Sequence, residues 1–357
     1  MRAPRVSIVG AGIVGASVAY HLTLAGARVA LFDAASGPAR GVTARAFGWV
    51  NLVHGNPADP VAYGLRRQAI AEHERLARAL PEAFRAARRG SLVWKETAAA
   101  TEDLVRRHRS AGASIEIIER AAIRAAEPHL RDVPAIAALS PADLAVNPVR
   151  ITEALISATV EAGAEAHWQR KVLGLETSGA RVRGIRVSDR VLDADVVVLA
   201  GGPDTDALLS PLGIDIGLAR SPAVLLRFTS DRPLINHIVN APDLEIRETE
   251  RAGLWVADSH DGDASGTGLQ AAGRRALEAI TRRFGTVATV VFDAAHVGSR
   301  PVFADGLPRL GFLSAIDGLY IAVGHPGVIL TPLLGRLASE EIVAGKRSSL
   351  LASRSAA

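Results

Sequence analysis

The chain has 357 residues, 48% apolar and 22% charged, with a formal net charge of +4 and no cysteine. That suits a globular protein long enough for two domains, and the missing thiol excludes disulfides, thiolate metal sites, a cysteine nucleophile and any cysteinyl cofactor link. The basic residues are nearly all arginine, the lysines being Lys95, Lys171 and Lys346, and no basic block with interleaved aromatics occurs, so no nucleic-acid partner is expected.

In chain order, residues 6–9 read as a buried strand. Gly10, Gly12 and Gly15 follow in G-x-G-x-x-G spacing. An Ala-rich helix runs to about residue 25, Gly26 stops it, and residues 28–32 form a second strand ending at Asp33. In such a unit the first glycine permits a tight turn and the second lets the backbone approach a pyrophosphate. The third lets helix and strand pack closely. The helix N-terminus offers free N–H groups to phosphates, and Asp33 stands at the distance for a ribose hydroxyl. With Ala11, Ile13, Val14 and Ala34 beside them, these residues point to a bound dinucleotide; a Gly-rich turn of another α/β protein is the competing reading. The basic start and apolar run are not read as a signal peptide, because cleavage there would destroy the fingerprint. His21 and Arg28 interrupt the run before membrane-spanning length. The expectation is an uncleaved, cytoplasmic protein with no membrane span.

After a polar link at 36–41 comes GVTARAFGWVN, residues 41–51. A helix is predicted over about 60–80 with Ile70, Leu76 and Leu80 inward. Then follow a strand at 91–94, a charged surface helix at 101–111, a strand at 115–118 and a short helix at 119–127 that Pro128 ends. Asn147-Pro148 opens a helix over 149–162, capped by Gly163. Strands are predicted at 164–168, 172–177 and 181–187. The continuous apolar run 195–200 reads as a buried parallel strand, ending in Gly201-Gly202-Pro203. Residues 221–228 and 237–258 read as antiparallel strands, 259–268 as a flexible polar loop, 269–284 as an amphipathic helix and 287–293 as a strand. Asp305-Gly306 is a turn. A buried strand at 319–323 runs into Gly324-His325-Pro326-Gly327, and a helix over 328–344 closes the fold. This order predicts an α/β fold: a nucleotide domain from segments 1–85, 141–220 and 296–347, a β-rich substrate domain inserted as 86–140 and 221–295, and a flexible tail at 348–357.

Four stretches carry a family resemblance: the N-terminal fingerprint, residues 41–51, VVVLAGG at 196–202, and residues 297–332, where R-P, D-G-x-P, G-L-Y and G-H-x-G follow one another. Together they resemble the D-amino acid oxidase family of FAD-dependent oxidoreductases, nearest its glycine oxidase and sarcosine oxidase branches. The resemblance implies a Rossmann-like FAD-binding domain of the GR2 type with an inserted antiparallel β-rich substrate domain. The residues agree with FAD over NAD, since a second strand–glycine–helix element stands at the far end of the chain. Its helix N-terminus suits the flavin edge where reduction places negative charge, and Gly324 and Gly327 would permit close approach to a flat ring. An ordinary β–α turn is the alternative.

The resemblance also implies roles. Arg300, in G-x-R-P, would fork onto the substrate carboxylate, a match suited to a planar guanidinium. The glycine oxidase branch carries a second arginine just after G-H; Pro326 stands near there, so that double clamp is not carried over. His325 would contact flavin or substrate, or cap the strand end with its backbone alone. Thr43, Ala44, Arg45 and Gly48 resemble the segment that cradles the pyrophosphate and ring. Some relatives bind flavin covalently through a histidine near Arg45; arginine cannot, so FAD is expected to be non-covalent. Trp49 borders the substrate space or packs in the core. Val172 would pair its backbone with the adenine, and Ala200, Gly201 and Gly202 would pass the ribose and pyrophosphate; a simple strand end is the competing reading of both. Gly324, His325, Pro326, Gly327, Val328 and Ile329 complete the cofactor set. Glu245 and Arg247 share one strand face; with Asn236, His237 and Trp255 they are substrate-side candidates or else solvated or packed side chains. The oxygen-assisting lysine of the sarcosine oxidase branch has no counterpart between Lys171 and Lys346. His260 or Arg247 would substitute, or oxygen is a poor acceptor, which leaves oxidase and dehydrogenase both open. The histidines show no metal spacing, and no metal is expected.

The function so implied is oxidation of the C–N bond of a small amino acid or N-alkyl amino acid, with hydride transfer to flavin N5 giving an imine that water hydrolyses. Arg300 and His325 are the catalytic candidates. The partners are a small-molecule amine and oxygen or another electron acceptor. A flavin-dependent 2-hydroxy acid dehydrogenase with His325 as base, an NAD-dependent enzyme, and a non-catalytic or complex-subunit flavoprotein are the alternatives.

Overall fold

The structure is a computed structural model in which residues 3–258 and 265–347 are described. The chain begins with β1 (Arg5–Val9), α1 (Ile13–Leu24) and β2 (Arg28–Phe32), then a 3-10 turn at Val42–Arg45, β3 (Trp49–Val50) and α2 (Pro60–Ala79). Next come β4 (Arg88–Val93), α3 (Ala98–Ser110), β5 (Glu116–Glu119), α4 (Arg120–Ala126), β6 (Ile136–Ala145) and α5 (Pro148–Glu161). The middle holds β7 (Glu165–His167), β8 (Val172–Ser178), β9 (Arg181–Val187), β10 (Arg190–Asp193), β11 (Val196–Leu199) and the single turn α6 (Asp206–Leu209). The last third holds β12 (Ala219–Ser230), β13 (Ile238–Ala241), β14 (Leu244–Glu248), β15 (Gly253–Asp258), α7 (Gly266–Phe284), β16 (Val290–Val302), β17 (Arg309–Phe312), β18 (Leu319–Val323) and α8 (Gly327–Ala344).

Two of the long helices start where their residues dictate. Asp59 and Asn147 each accept two first-turn N–H groups, and Pro60 and Pro148 occupy the first helical position, where no N–H is needed.

The first sheet runs β17-β18-β11-β1-β2-β7 and is parallel except for the β17–β18 pair. Its strands are apolar on both faces because both are covered. Val6, Ile8, Val198, Tyr320 and Ala322 point into one core with α1, α2, α5 and α8. Val197, Leu199, Ile321 and Val323 point into the other, against the antiparallel β10-β9-β8 layer. Helices α1 and α8 pack closely because Gly335 has no side chain: a Cβ there would lie 2.3 Å from Ser17 Oγ. Pro332 sits inside α8 and offers no N–H to the Val328 carbonyl. His73 of α2 fills that gap, its Nε2 donating to the Val328 and Ile329 carbonyls at 3.0 and 3.1 Å. Burial holds this imidazole at about 4, so it is neutral.

The second large sheet has the order β16-β12-β15-β14-β13-β4-β6-β3, with β5 paired to β6. It is antiparallel except between β13 and β4, which run parallel, so the expected antiparallel layer is mixed at that seam. Its apolar core includes Phe228, Ile246, Val256, Ile280 and Phe284, with α7 packed against it. Residues 140/141, 220/221 and 295/296, where the sequence suggested domain boundaries, each fall inside one strand, β6, β12 and β16 respectively.

Strand β6 is absent from the sequence reading because S-P-A-D at 140–143 breaks any apolar pattern. The structure accepts those polar groups: buried Asp143 takes hydrogen bonds from Trp49 Nε1, Ser91 Oγ and Ser140 Oγ at 2.9, 2.7 and 2.9 Å. The expected surface helix α3 buries Leu104, Val105 and His108. Of the predicted loop at 259–268, residues 259–264 lie outside the described residues, as does the 348–357 tail. Among the described residues no helix is long and apolar enough to cross a membrane.

Candidate active site

One cavity of about 1320 Å³ runs between the two large sheets, larger than the ~300–1,000 Å³ typical of a small-ligand pocket. Both ends and the middle of the chain line it. At one end is the glycine turn. Gly10 has φ +107, and a Cβ there would lie 2.5 Å from the Ala200 carbonyl oxygen; a Cβ at Gly15 would lie 2.0 Å from the Gly10 oxygen. These two glycines lock α1 against β1 and β11. Gly12 differs: the nearest atom to a Cβ is Thr43 Oγ1 at 3.4 Å, so its missing side chain leaves room in the cavity. Thr43 Oγ1 accepts from Ile13 N at 3.0 Å and caps α1 from a distant segment. Asp33 accepts from Ala11 N at 2.7 Å and Ala35 N at 2.8 Å, tying the second strand to the turn.

Residues 41–51 form the next wall. Gly48 has φ +81, and a Cβ would lie 2.3 Å from the Val146 oxygen. Arg247 holds this segment: its Nε donates to the Phe47 carbonyl at 2.6 Å and its Nη2 to the Val146 carbonyl at 2.9 Å, with the guanidinium over the Trp255 ring. Burial without an acid partner pulls Arg247 down to about 9. Arg227 Nη2 donates to the Ala44 carbonyl and Arg45 Nη1 to the Val297 carbonyl, each at 2.9 Å. Trp49 is buried, bonded to Asp143, and lines the cavity.

At the other end are β18, the Gly324 turn and α8. Gly324 is at φ +151, and a Cβ there would lie 2.4 Å from Pro308 Cα. Protein packing on that side already requires glycine there, and Gly324 also lines the cavity. Gly327, at the first turn of α8, has only Val14 Cγ2 at 3.6 Å and keeps the open reading. Helix α8 has no side-chain cap on its N-terminus, and Gly327, Val328 and Ile329 line the cavity. His325 beside it is pushed down to about 4 by burial and by the nearby Arg300 and Arg66 guanidiniums. Arg300, on β16, donates from Nη2 to Ser221 Oγ at 2.8 Å and to the Pro222 carbonyl at 3.3 Å.

Of the expected cofactor residues, Gly10, Gly12, Ile13, Val14, Asp33, Ala34, Thr43, Arg45, Gly48, Trp49, Val172, Ala200, Gly201 and Gly202 share this lining with Arg300 and with Gly324 through Ile329. Ala11, Gly15 and Ala44 lie behind it. Among the substrate-side candidates Glu245 lines the cavity, while Arg247 braces the 41–51 segment with its guanidinium over the Trp255 ring. Asn236, exposed, and His237, half-buried, lie elsewhere, their backbone N–H groups bonded to Glu127, and His260 lies outside the described residues. Glu245 accepts from Asn240 Nδ2 at 2.9 Å, and burial raises it to about 7. His54, 4.0 Å from it, is held at about 4 by burial and nearby cations. Sequence reasoning missed Asn51, His54 and Arg66. The first lay in a motif read for the cofactor, and the others in a stretch with no motif. No group of acidic or histidine residues able to hold a metal occurs among the described residues.

The chain fits FAD: a long cavity with an open glycine cradle at one helix N-terminus and an uncapped helix at the other. Comparison with known proteins agrees. A model of the family described as DAO, FAD dependent oxidoreductase, matches residues 5–341. A glycine oxidase of Pseudomonas aeruginosa is 26% identical over 94% of both chains. A D-amino acid dehydrogenase of Rhizobium rhizogenes is 24% identical over 90% of this chain and 91% of its own. The crystal structure of glycine oxidase from Geobacillus kaustophilus superposes with a TM-score of 0.85 at 24% identity, covering 100% of this chain and 99% of that one.

Proposed function

The chain belongs to the DAO family of FAD-dependent oxidoreductases, and from that premise we propose that it oxidises the C–N bond of a small amino acid or N-alkyl amino acid held by Arg300. When bound, the flavin supplies the two-electron acceptor for the hydrogen on the substrate's α-carbon. The observation that carries the reading is the shared cavity: Arg300 and His325 line the same space as the Gly10–Gly12 turn.

Arg300 binds. Its Nη2 is anchored on β12 through Ser221 and Pro222, which fixes the fork and leaves Nη1 for a carboxylate oxygen. Fixing the carboxylate orients the α-carbon, and orientation is the larger part of what such a site must provide. Gly12, Thr43, Asp33 and the α1 N-terminus would hold the dinucleotide phosphates and ribose, and the α8 N-terminus would face the ring edge that gains charge. With Arg45 in the 41–51 segment and no cysteine in the chain, the cofactor is held without a covalent bond.

An amine is favoured over an alcohol. A neutral amine carries its own lone pair, whereas a hydroxy acid needs a base. His325, held at about 4, is a poor proton acceptor at neutral pH. The acceptor is oxygen or another oxidant; glycine oxidases and D-amino acid dehydrogenases both stand among the relatives.

The test is anaerobic mixing of the yellow holoenzyme with D-, L- and N-methyl amino acids and with 2-hydroxy acids. Loss of flavin absorbance with one class of amino acid is expected. Bleaching by a hydroxy acid alone, or by none of them, refutes the proposal.

A further inference from the structure

A second cation faces the cavity, and among the described residues it has no ion-pair partner. Arg66 lies on α2, seven residues before His73 and so on the same helix face. His73 bonds the Val328 and Ile329 carbonyls at the start of α8, which aims Arg66 past that start, toward His325. Its side chain runs along the 51–55 segment, where a Cβ at Gly55 would lie 3.1 Å from Arg66 Cδ. A guanidinium has five donors, yet among the described residues Arg66 makes two long hydrogen bonds, from Nη1 to the Asn51 carbonyl and Oδ1 at 3.3 and 3.4 Å. The buried Arg247, by contrast, spends its donors on two carbonyls at 2.6 and 2.9 Å. Burial lowers the pKa of Arg66 and the charge of Asp143 opposes it in part, as expected of a desolvated cation. The acid that acts on it, Asp143, is committed to donors of its own.

We propose that Arg66 is a second anion-binding residue of the substrate site, and that the substrate carries two carboxylates, one on Arg300 and the other on Arg66. This rests on the reading of Arg300 as the first carboxylate clamp. The two guanidiniums are tethered to different walls, Arg300 to β12 and Arg66 to the segment after β3, and they share the cavity with His325. Two tethers on separate elements suit two anionic groups on one molecule better than one shared carboxylate. The substrate class is an acidic amino acid or an N-carboxyalkyl amino acid.

The test is titration of the holoenzyme with glutarate and with its monoamide, glutaramate, following the flavin spectrum. Neither ligand needs to be oxidised. Glutarate is expected to bind at least ten-fold more tightly. Arg66→Gln should remove that advantage and leave glutaramate binding within about two-fold, Arg66→Lys should keep part of it, and Arg300→Gln should weaken both ligands. Equal binding of the two ligands by the native enzyme, binding of neither, or equal weakening of both by Arg66→Gln overturns the inference. The anaerobic bleaching assay separates the two readings. Glutarate preference without bleaching by any amino acid removes the oxidation and spares the second clamp; bleaching by neutral amino acids without glutarate preference does the reverse.

Discussion

Glu245→Gln should change how stability depends on pH. The Glu245 carboxyl is held at about 7 against an ordinary 4.5, chiefly because burial penalises its charge; the Asn240 hydrogen bond and Lys95 pull the other way without winning. Between pH 4.5 and 7 the folded protein therefore keeps a proton that the unfolded chain has lost. Stability must fall as pH rises through that window and level off above it. The shift is about 2.5 units, and at 1.36 kcal/mol per unit the penalty reaches about 3 kcal/mol by pH 8. The Glu245 side chain is 24% exposed, so the full figure is an upper bound. Glutamine keeps the shape and the hydrogen bond but cannot ionise. Urea unfolding of the native and Glu245→Gln proteins at pH 5, 6, 7 and 8 measures the difference. The variant should gain on the native protein by one to three kcal/mol, on the order of the penalty above, between pH 5 and 8. Parallel curves would mean that this carboxyl is hydrated and ordinary, and the argument from burial would fail.

Arg300→Ala should lower kcat/KM for carboxylated substrates by an amount on the order of 2–5 kcal/mol, read from steady-state rates. Unchanged turnover would take Arg300 out of the site. Gly15→Ala drives a methyl to 2.0 Å from the Gly10 oxygen and should cost both folding stability and FAD. Gly12→Ala meets only Thr43 Oγ1 at 3.4 Å and should weaken FAD binding while the apoprotein melts where it did. Arg247→Met strands the Phe47 and Val146 carbonyls, at about 1–3 kcal/mol for each buried acceptor left unpaired. Chemical denaturation and flavin release should report that loss together.

The N-terminal strand–glycine–helix unit could be read from the sequence because each of its residues answers a local geometric demand. The same holds for the 319–323 strand and the helix after it. Strand β6 could not, since Ser140 and Asp143 are polar where a strand core should be apolar, and only Trp49 and Ser91, far away in the chain, satisfy them. Gly324 could be noticed for its backbone, but its contact with Pro308, sixteen residues earlier, could not be read from the sequence. Arg66 was invisible because an arginine on a helix is ordinarily solvated. Only the packing of α2 on α8 turns it inward. The inserted strands gave no motif because pairing partners such as Asn240 and Glu245, or Ser221 and Arg300, are set by register rather than by local sequence.

Strands β12 and β16 pair along 12 residue positions, from Ala219 opposite Val302 to Ser230 opposite Val290. One half of that ladder is built into the apolar core beneath α7, and the other half carries Gly298 and Arg300 to the cavity. The ladder is broken in register at one point, between Arg227 and Phe228, where the half under α7 meets the half at the cavity. Any swing of one half of the molecule against the other would have to bend this two-stranded ribbon, and a bulge, with its local kink, is where such a ribbon yields most readily.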